Sequence, residues 1–174
     1  LDGAVSYTNE NGYTTTGLTP TVTMLQIQKA ESSGQSFVIQ LSNGHFIVYD
    51  GGFEVDLEYL ITYMKGLSDG QKPIVEAWVV SHAHQDHAGV FAKVYTDARD
   101  GIAKWADEIY VEGIYYNESA AYVKGNFTPV ESGESLIYDV MDLTWYEKVQ
   151  RGMNLLKTTI DDTTPIYRYR TGQR

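Results

Sequence analysis

The sequence predicts a mixed α/β domain, and three observations carry that expectation. Apolar and polar residues alternate through Thr21–Lys29, the two-residue period of a strand with one covered face. Apolar residues recur at three- and four-residue spacing through Val55–Leu67 and Tyr138–Ile160, as in helices lying on a core. Between them, Ile74–Val80 is almost continuously apolar, as in a strand buried on both faces. A chain of 174 residues suits one domain, and 43% hydrophobic with 21% charged residues is the composition of a folded globular protein.

Taken in order, residues 1–20 are rich in Thr, Asn, Gly and Tyr without helical periodicity, and read as an N-terminal arm or loop. The domain proper covers 21–174. Thr21–Lys29 is a half-buried strand, with Val22, Met24, Leu25 and Ile27 as its apolar residues and Thr and Gln between them. Ser32–Gly34 is a turn, Gln35–Leu41 a second strand, and Ser42-Asn43-Gly44 a hairpin-type turn. His45–Tyr49 is a third strand ending at Asp50-Gly51-Gly52. Val55–Leu67 is a helix with Leu57, Leu60, Ile61 and Met64 on one face, stopped by Gly66 and Asp69-Gly70. After Ile74–Val80, Ala88–Arg99 reads as a helix and Glu108–Glu112 as a strand. Residues 113–138 look irregular. Tyr138–Ile160 carries the stripe Tyr146, Val149, Met153, Leu156 and Ile160, and Ile166–Arg170 is a last strand.

Composition excludes several functions. The formal charge of −10 argues against a protein that grips a phosphate backbone with Lys and Arg, so nucleic acid is not an expected partner. No cysteine is present, which removes disulfides and thiolate metal sites and leaves nitrogen and oxygen as the donors for any metal. No apolar run approaches the ~20 residues of a membrane span. The missing cysteines and initiator Met favour a processed, exported bacterial protein.

One segment carries the chemistry. Three of the four histidines fall in His82-Ala83-His84-Gln85-Asp86-His87, directly after the buried strand. On an extended segment His82 and His84 point to the same side, so both can reach one ion. A turn near Gln85 would bring Asp86 and His87 to a second position beside it. Zinc takes imidazole and carboxylate donors, and iron and manganese tolerate the same set. The bland reading makes Asp86 an ordinary helix N-cap and the histidines surface residues. Four clustered ionisable groups after a buried strand favour a cation site instead.

His82-Ala83-His84-Gln85-Asp86-His87-Ala88-Gly89 resembles the His-x-His-x-Asp-His signature of the metallo-β-lactamase superfamily, with the Gly that commonly follows it. The strand ending in Asp50-Gly51-Gly52 fits the same context. The resemblance covers about the first hundred residues. It implies an αββα sandwich of two mixed sheets, with His82 and His84 on a first zinc ion and Asp86 and His87 on a second. It implies a hydrolase in which a metal-bound hydroxide attacks an ester, amide, thioester or phosphodiester of a small-molecule substrate. Asp86 would be catalytic as well as a ligand, handling the proton.

The chain departs from that family's pattern after His87, because no histidine follows. Asp139, Asp142, Asp161 and Asp162 read as helix ends or solvated charges. Two expectations follow. In one, the chain is the N-terminal portion of such a domain, with ligands beyond Arg174. It then binds metal weakly on its own and self-associates through exposed sheet edges. In the other, the domain is degenerate and serves as a non-catalytic binding or assembly module. Asp50 is an even choice between orienting a metal ligand and ending a strand, and His45 reads as a hairpin residue. Tyr115, Tyr116 and Tyr122 read as partly buried beneath a long loop.

Overall fold

The computed structural model describes residues 5–8, 14–29, 33–117, 143–160 and 166–169. Strands form where β-branched and aromatic residues gather, since these suit a pleated, half-buried surface. Phe37, Val38 and Ile39 centre β4 (Ser36–Gln40), and Ile47, Val48 and Tyr49 centre β5 (Phe46–Asp50). The turn between them needs Gly44, whose φ of 85° is strained for a residue with a Cβ. β3 (Thr21–Met24) adds antiparallel to β4. β6 (Ile74–Val80), β8 (Ile114–Asn117) and β9 (Ile166–Tyr169) continue the sheet in parallel, in the order β3-β4-β5-β6-β8-β9. The short β7 (Tyr110–Val111) pairs with the start of β6. β1 (Val5–Thr8) and β2 (Thr14–Gly17) form a separate antiparallel pair.

Helices cover one face of the sheet. After a single 3₁₀ turn at Glu54–Asp56, α1 (Leu57–Leu67) buries Leu57, Leu60, Ile61 and Met64, the predicted stripe. α2 (Gln85–Arg99) lies over β6, with Phe91 and Trp78 ring centroids 4.9 Å apart. α4 (Leu143–Ile160) packs on α2 through Val149, Met153 and Leu156, all buried. Gly152 permits that approach, because a Cβ there would run into the Phe91 carbonyl oxygen. The short α3 (Trp105–Glu108) is tied to α2 by Asp97. That buried carboxylate accepts hydrogen bonds from Trp105 Nε1 at 2.7 Å and Lys93 Nζ at 2.8 Å.

The mixed α/β class, the central strands, α1 and the core stripe of α4 agree with the sequence. Several details differ. The N-terminal arm contains β1 and β2 rather than loop alone; Thr14–Thr16, Val5 and Tyr7 are β-formers that produce no long apolar period. β3 is short, and Val22 and Met24 are 70% and 65% exposed. It is Thr23 that turns in, accepting a hydrogen bond from Tyr63 Oη at 2.9 Å. β6 is fully buried on one face only. α2 begins at Gln85, three residues before the expected start. The expected strand Glu108–Glu112 is present as the shorter β7, preceded by the helical turn of α3, and β8 falls where irregular chain was expected, so Tyr115 and Tyr116 are strand residues and Tyr116 is buried. Tyr122, Asp139, Asp142, Asp161, Asp162, Ser32 of the Ser32–Gly34 turn and the 138–142 start of the long helix lie outside the described residues. Among the described residues no helix is long and apolar enough to cross a membrane.

Candidate metal centre

β5 and β6 are parallel neighbours, so Asp50 at the end of one lies beside Ser81 just past the end of the other. In open α/β sheets this carboxyl edge is where ligands gather. Asp50 is fully buried, with φ at 56°, a left-handed conformation that an Asp tolerates better than most residues. Its Oδ1 accepts the Ser81 N–H at 2.7 Å. Its Oδ2 accepts Ser81 Oγ–H at 2.8 Å, His87 Nδ1–H at 2.7 Å and Gln35 Nε2–H at 3.3 Å. A carboxylate can only accept, so the His87 proton on that side is on Nδ1.

The same logic reaches His82. Ser81 gives its hydroxyl hydrogen to Asp50, so the His82 Nδ1 that lies 2.9 Å from Ser81 Oγ is the donor in that contact. His82 Nε2 is then left with its lone pair, 3.0 Å from His84 Nδ1. On the other side, His87 Nε2 lies 3.4 Å from Asp86 Oδ2. The His82 ring centroid is 4.4 Å from that of His84 and 4.0 Å from that of His87. The four side chains converge as two donor pairs.

The early start of α2 explains the second pair. His84 is the N-cap and Asp86 and His87 lie in the first turn, so the bland reading of Asp86 as the N-cap does not hold. The Asp86 and His87 backbones are fixed by neighbours: the Asp86 carbonyl accepts the Gln35 N–H at 3.1 Å and the His87 carbonyl accepts the Gly51 N–H at 2.7 Å. Gly89 lets α2 sit this close. Its N–H donates to the Gly52 carbonyl at 2.9 Å, and a Cβ there would lie 2.6 Å from the Phe53 backbone.

Electrostatics separates the two linked histidines. His82 has its pKa lowered, first by burial and then by the neighbouring His87 and His84. Burial also acts to lower His87, but the Asp50 hydrogen bond and the charges of Asp50 and Asp86 outweigh it, and its pKa is raised. A lowered pKa favours the neutral imidazole that a metal takes as ligand, and a raised one disfavours it.

Separations of 3.0 and 3.4 Å match two donors sharing one ion, since metal–nitrogen bonds of about 2.0–2.1 Å at tetrahedral angles put ligand atoms roughly 3.3 Å apart. The same separations are also those of a hydrogen bond and an ion pair, and what suits a divalent cation is the donor chemistry, imidazole nitrogen and carboxylate oxygen. Each pair is incomplete: among the described residues no group of three or more His, Asp or Glu is arranged to hold a metal ion. His45 is not part of the cluster. It lies before β5, at the opposite end of the strand, with Nδ1 2.8 Å from Glu76 Oε1.

Ser81 and Gln35 were not legible as site residues. Ser81 had one signal, its position between the buried strand and His82. Gln35 had none, being joined to Asp50 only by the fold. Comparison of the chain with family models and with curated proteins finds no match to either.

Proposed function

We propose that this chain is the metal-holding portion of a hydrolase of the metallo-β-lactamase type. The observation that carries the reading is the pairing of His82 Nε2 with His84 Nδ1 and of His87 Nε2 with Asp86 Oδ2, both organised by one buried carboxylate. His82 and His84 would hold one zinc ion, and Asp86 and His87 a second. Each pair needs further donors, since among the described residues no group of three or more is arranged to hold an ion. Bound divalent ions supply a hydrolytic nucleophile at neutral pH and polarise a carbonyl or phosphoryl oxygen.

The chain's own residues have defined tasks in this reading. Asp50 fixes the His87 ring directly and the His82 ring through Ser81, which sets the tautomer of each. Asp86, about one quarter exposed, would take up the proton released during hydrolysis. The first turn of α2 adds its N-terminal dipole, which favours an anionic substrate group or transition state. The half-buried face of Phe37, Ile39, Ile47 and Tyr49 is where a second sheet would lie in an αββα sandwich.

The test is hydrolysis of a p-nitrophenyl ester, a thioester and bis(p-nitrophenyl) phosphate by the full-length protein. We expect a zinc-dependent rate on at least one, lost with chelator and reduced at least a hundredfold by His84→Ala. Equal rates for the two proteins would overturn it. One observation favours a second reading, a non-catalytic binding or assembly module: no three-donor metal group exists among the described residues. Zinc-independent behaviour in the same assay supports that alternative.

A further inference from the structure

A cleft of about 420 Å³ lies beside the cluster and shares Gln85 with it. Its size falls within the roughly 300–1,000 Å³ of small-molecule sites. Phe53 and Trp145 form apolar walls, and Lys29 and Lys148 place two ammonium groups around it, with Glu54 the one acid in the lining. Trp145 and Lys148 are three residues apart on α4 and so share a helix face. Trp145 is fixed to the motif itself, donating from Nε1 to the Ala83 carbonyl at 2.8 Å. Lys29 lies with its ammonium 4.3 Å from the Phe53 ring centroid.

The walls are pre-organised. Buried Asp56 accepts the Gln28 N–H at 2.6 Å and the Phe53 N–H at 2.7 Å, so one carboxylate holds the chain that presents Lys29 and the loop that presents Phe53. Among the described residues neither Lys29 nor Lys148 has a carboxylate within ion-pair distance. A chain of net charge −10 thus sets two lysines, neither in an ion pair among the described residues, around an aromatic-walled cleft next to its ionisable cluster.

We infer that this cleft is an anion subsite. Lys29 and Lys148 take a carboxylate or phosphate, and Phe53 and Trp145 pack the apolar body attached to it. Resting on the hydrolase reading, this narrows the substrate to an anionic molecule whose charged end is set off from the scissile bond. The cations supply charge-assisted hydrogen bonds, which are stronger than neutral ones.

The test is binding to the full-length protein in chelator at low salt, where no metal contributes. Phenyl phosphate, benzoate and neutral benzamide are the probes, followed by calorimetry. We expect one or both anions to bind at least tenfold more tightly than benzamide. Lys29→Gln and Lys148→Gln should each weaken the anion about tenfold, and Lys148→Arg should stay within about threefold of wild type. Binding of phenyl phosphate alone assigns a phosphate site, and binding of benzoate alone a carboxylate site. Equal binding of benzamide, or anion affinity unchanged in the double Gln variant, overturns the subsite. If the anion binds but the protein takes up no metal, the subsite stands and the hydrolase reading falls. If metal binds and the double variant leaves anion affinity unchanged, the reverse holds.

Discussion

His87 Nδ1 lies 2.7 Å from Asp50 Oδ2, and the same oxygen accepts the Ser81 hydroxyl that His82 Nδ1 contacts. One fully buried carboxylate therefore sets the orientation of a histidine in each donor pair. Asp50→Ala would leave the Ser81 N–H, the Ser81 hydroxyl and the His87 Nδ1–H without their acceptor. The expected cost is roughly 3 kcal/mol, the scale of breaking a buried charged network. Urea denaturation checks it; a loss below about 1 kcal/mol would show that Asp50 does not organise the site.

The paired histidines should titrate apart in the metal-free protein. Protonated His87 is favoured by folding, so its stabilisation is complete below the unfolded-state value of 6.5 and disappears as pH rises through the higher folded-state value. His82 is lowered and acts in the opposite sense: its contribution is present above 6.5 and is lost as pH falls through the lower folded-state value. Opposed signs partly cancel in overall stability, so ring proton resonances are the right measurement. The midpoint of His87 should lie above that of a histidine peptide and that of His82 below it. Coincident midpoints would contradict the Asp50–His87 hydrogen bond and the burial of His82 beside two other histidines.

Gly89→Ala should destabilise the protein by about 1–3 kcal/mol, the usual range for overpacking, although alanine is the better helix former. The reason is the Phe53 backbone, 2.6 Å from where the new Cβ would lie. Stabilisation by this substitution, read from a thermal melt, would mean that α2 does not sit against the loop after β5.

Trp145→Phe keeps an aromatic ring and removes the hydrogen bond to the Ala83 carbonyl, a buried contact between α4 and the His-rich segment. A loss of about 1–2 kcal/mol is expected, with greater proteolytic sensitivity near residue 84. No change in either would show that α4 does not anchor the segment.

The sequence carried the sheet's centre because β4, β5 and β6 each concentrate β-formers between clear turns, and it carried α1 because Leu57, Leu60, Ile61 and Met64 keep a strict helical period. It misplaced the start of α2, because Gln85, Asp86 and His87 are polar and add nothing to an apolar stripe. That start is set instead by backbone bonds from Gln35 and Gly51, which a one-dimensional pattern does not contain. β3 misled for a related reason: alternation marks two faces without saying which is covered, and here Thr23 faces Tyr63 while Val22 and Met24 face outward. The four clustered side chains were visible by spacing alone. Asp50 stood out only as one of two even readings. Ser81 and Gln35 join the site through contacts made after the strands align.

The chain contains its own control for the central claim. His82, His84 and His87 converge at the carboxyl end of the sheet, whereas His45 pairs with Glu76 at the other end of a five-residue strand, about 15 Å along it. Zinc titration followed on the four histidine ring signals at neutral pH should move or broaden His82, His84 and His87 together. It should leave His45 unchanged, and His84→Ala should weaken the response of His82. If the three cluster signals stay fixed while zinc is added to saturation, or His45 responds as strongly as they do, the cluster is not a cation site.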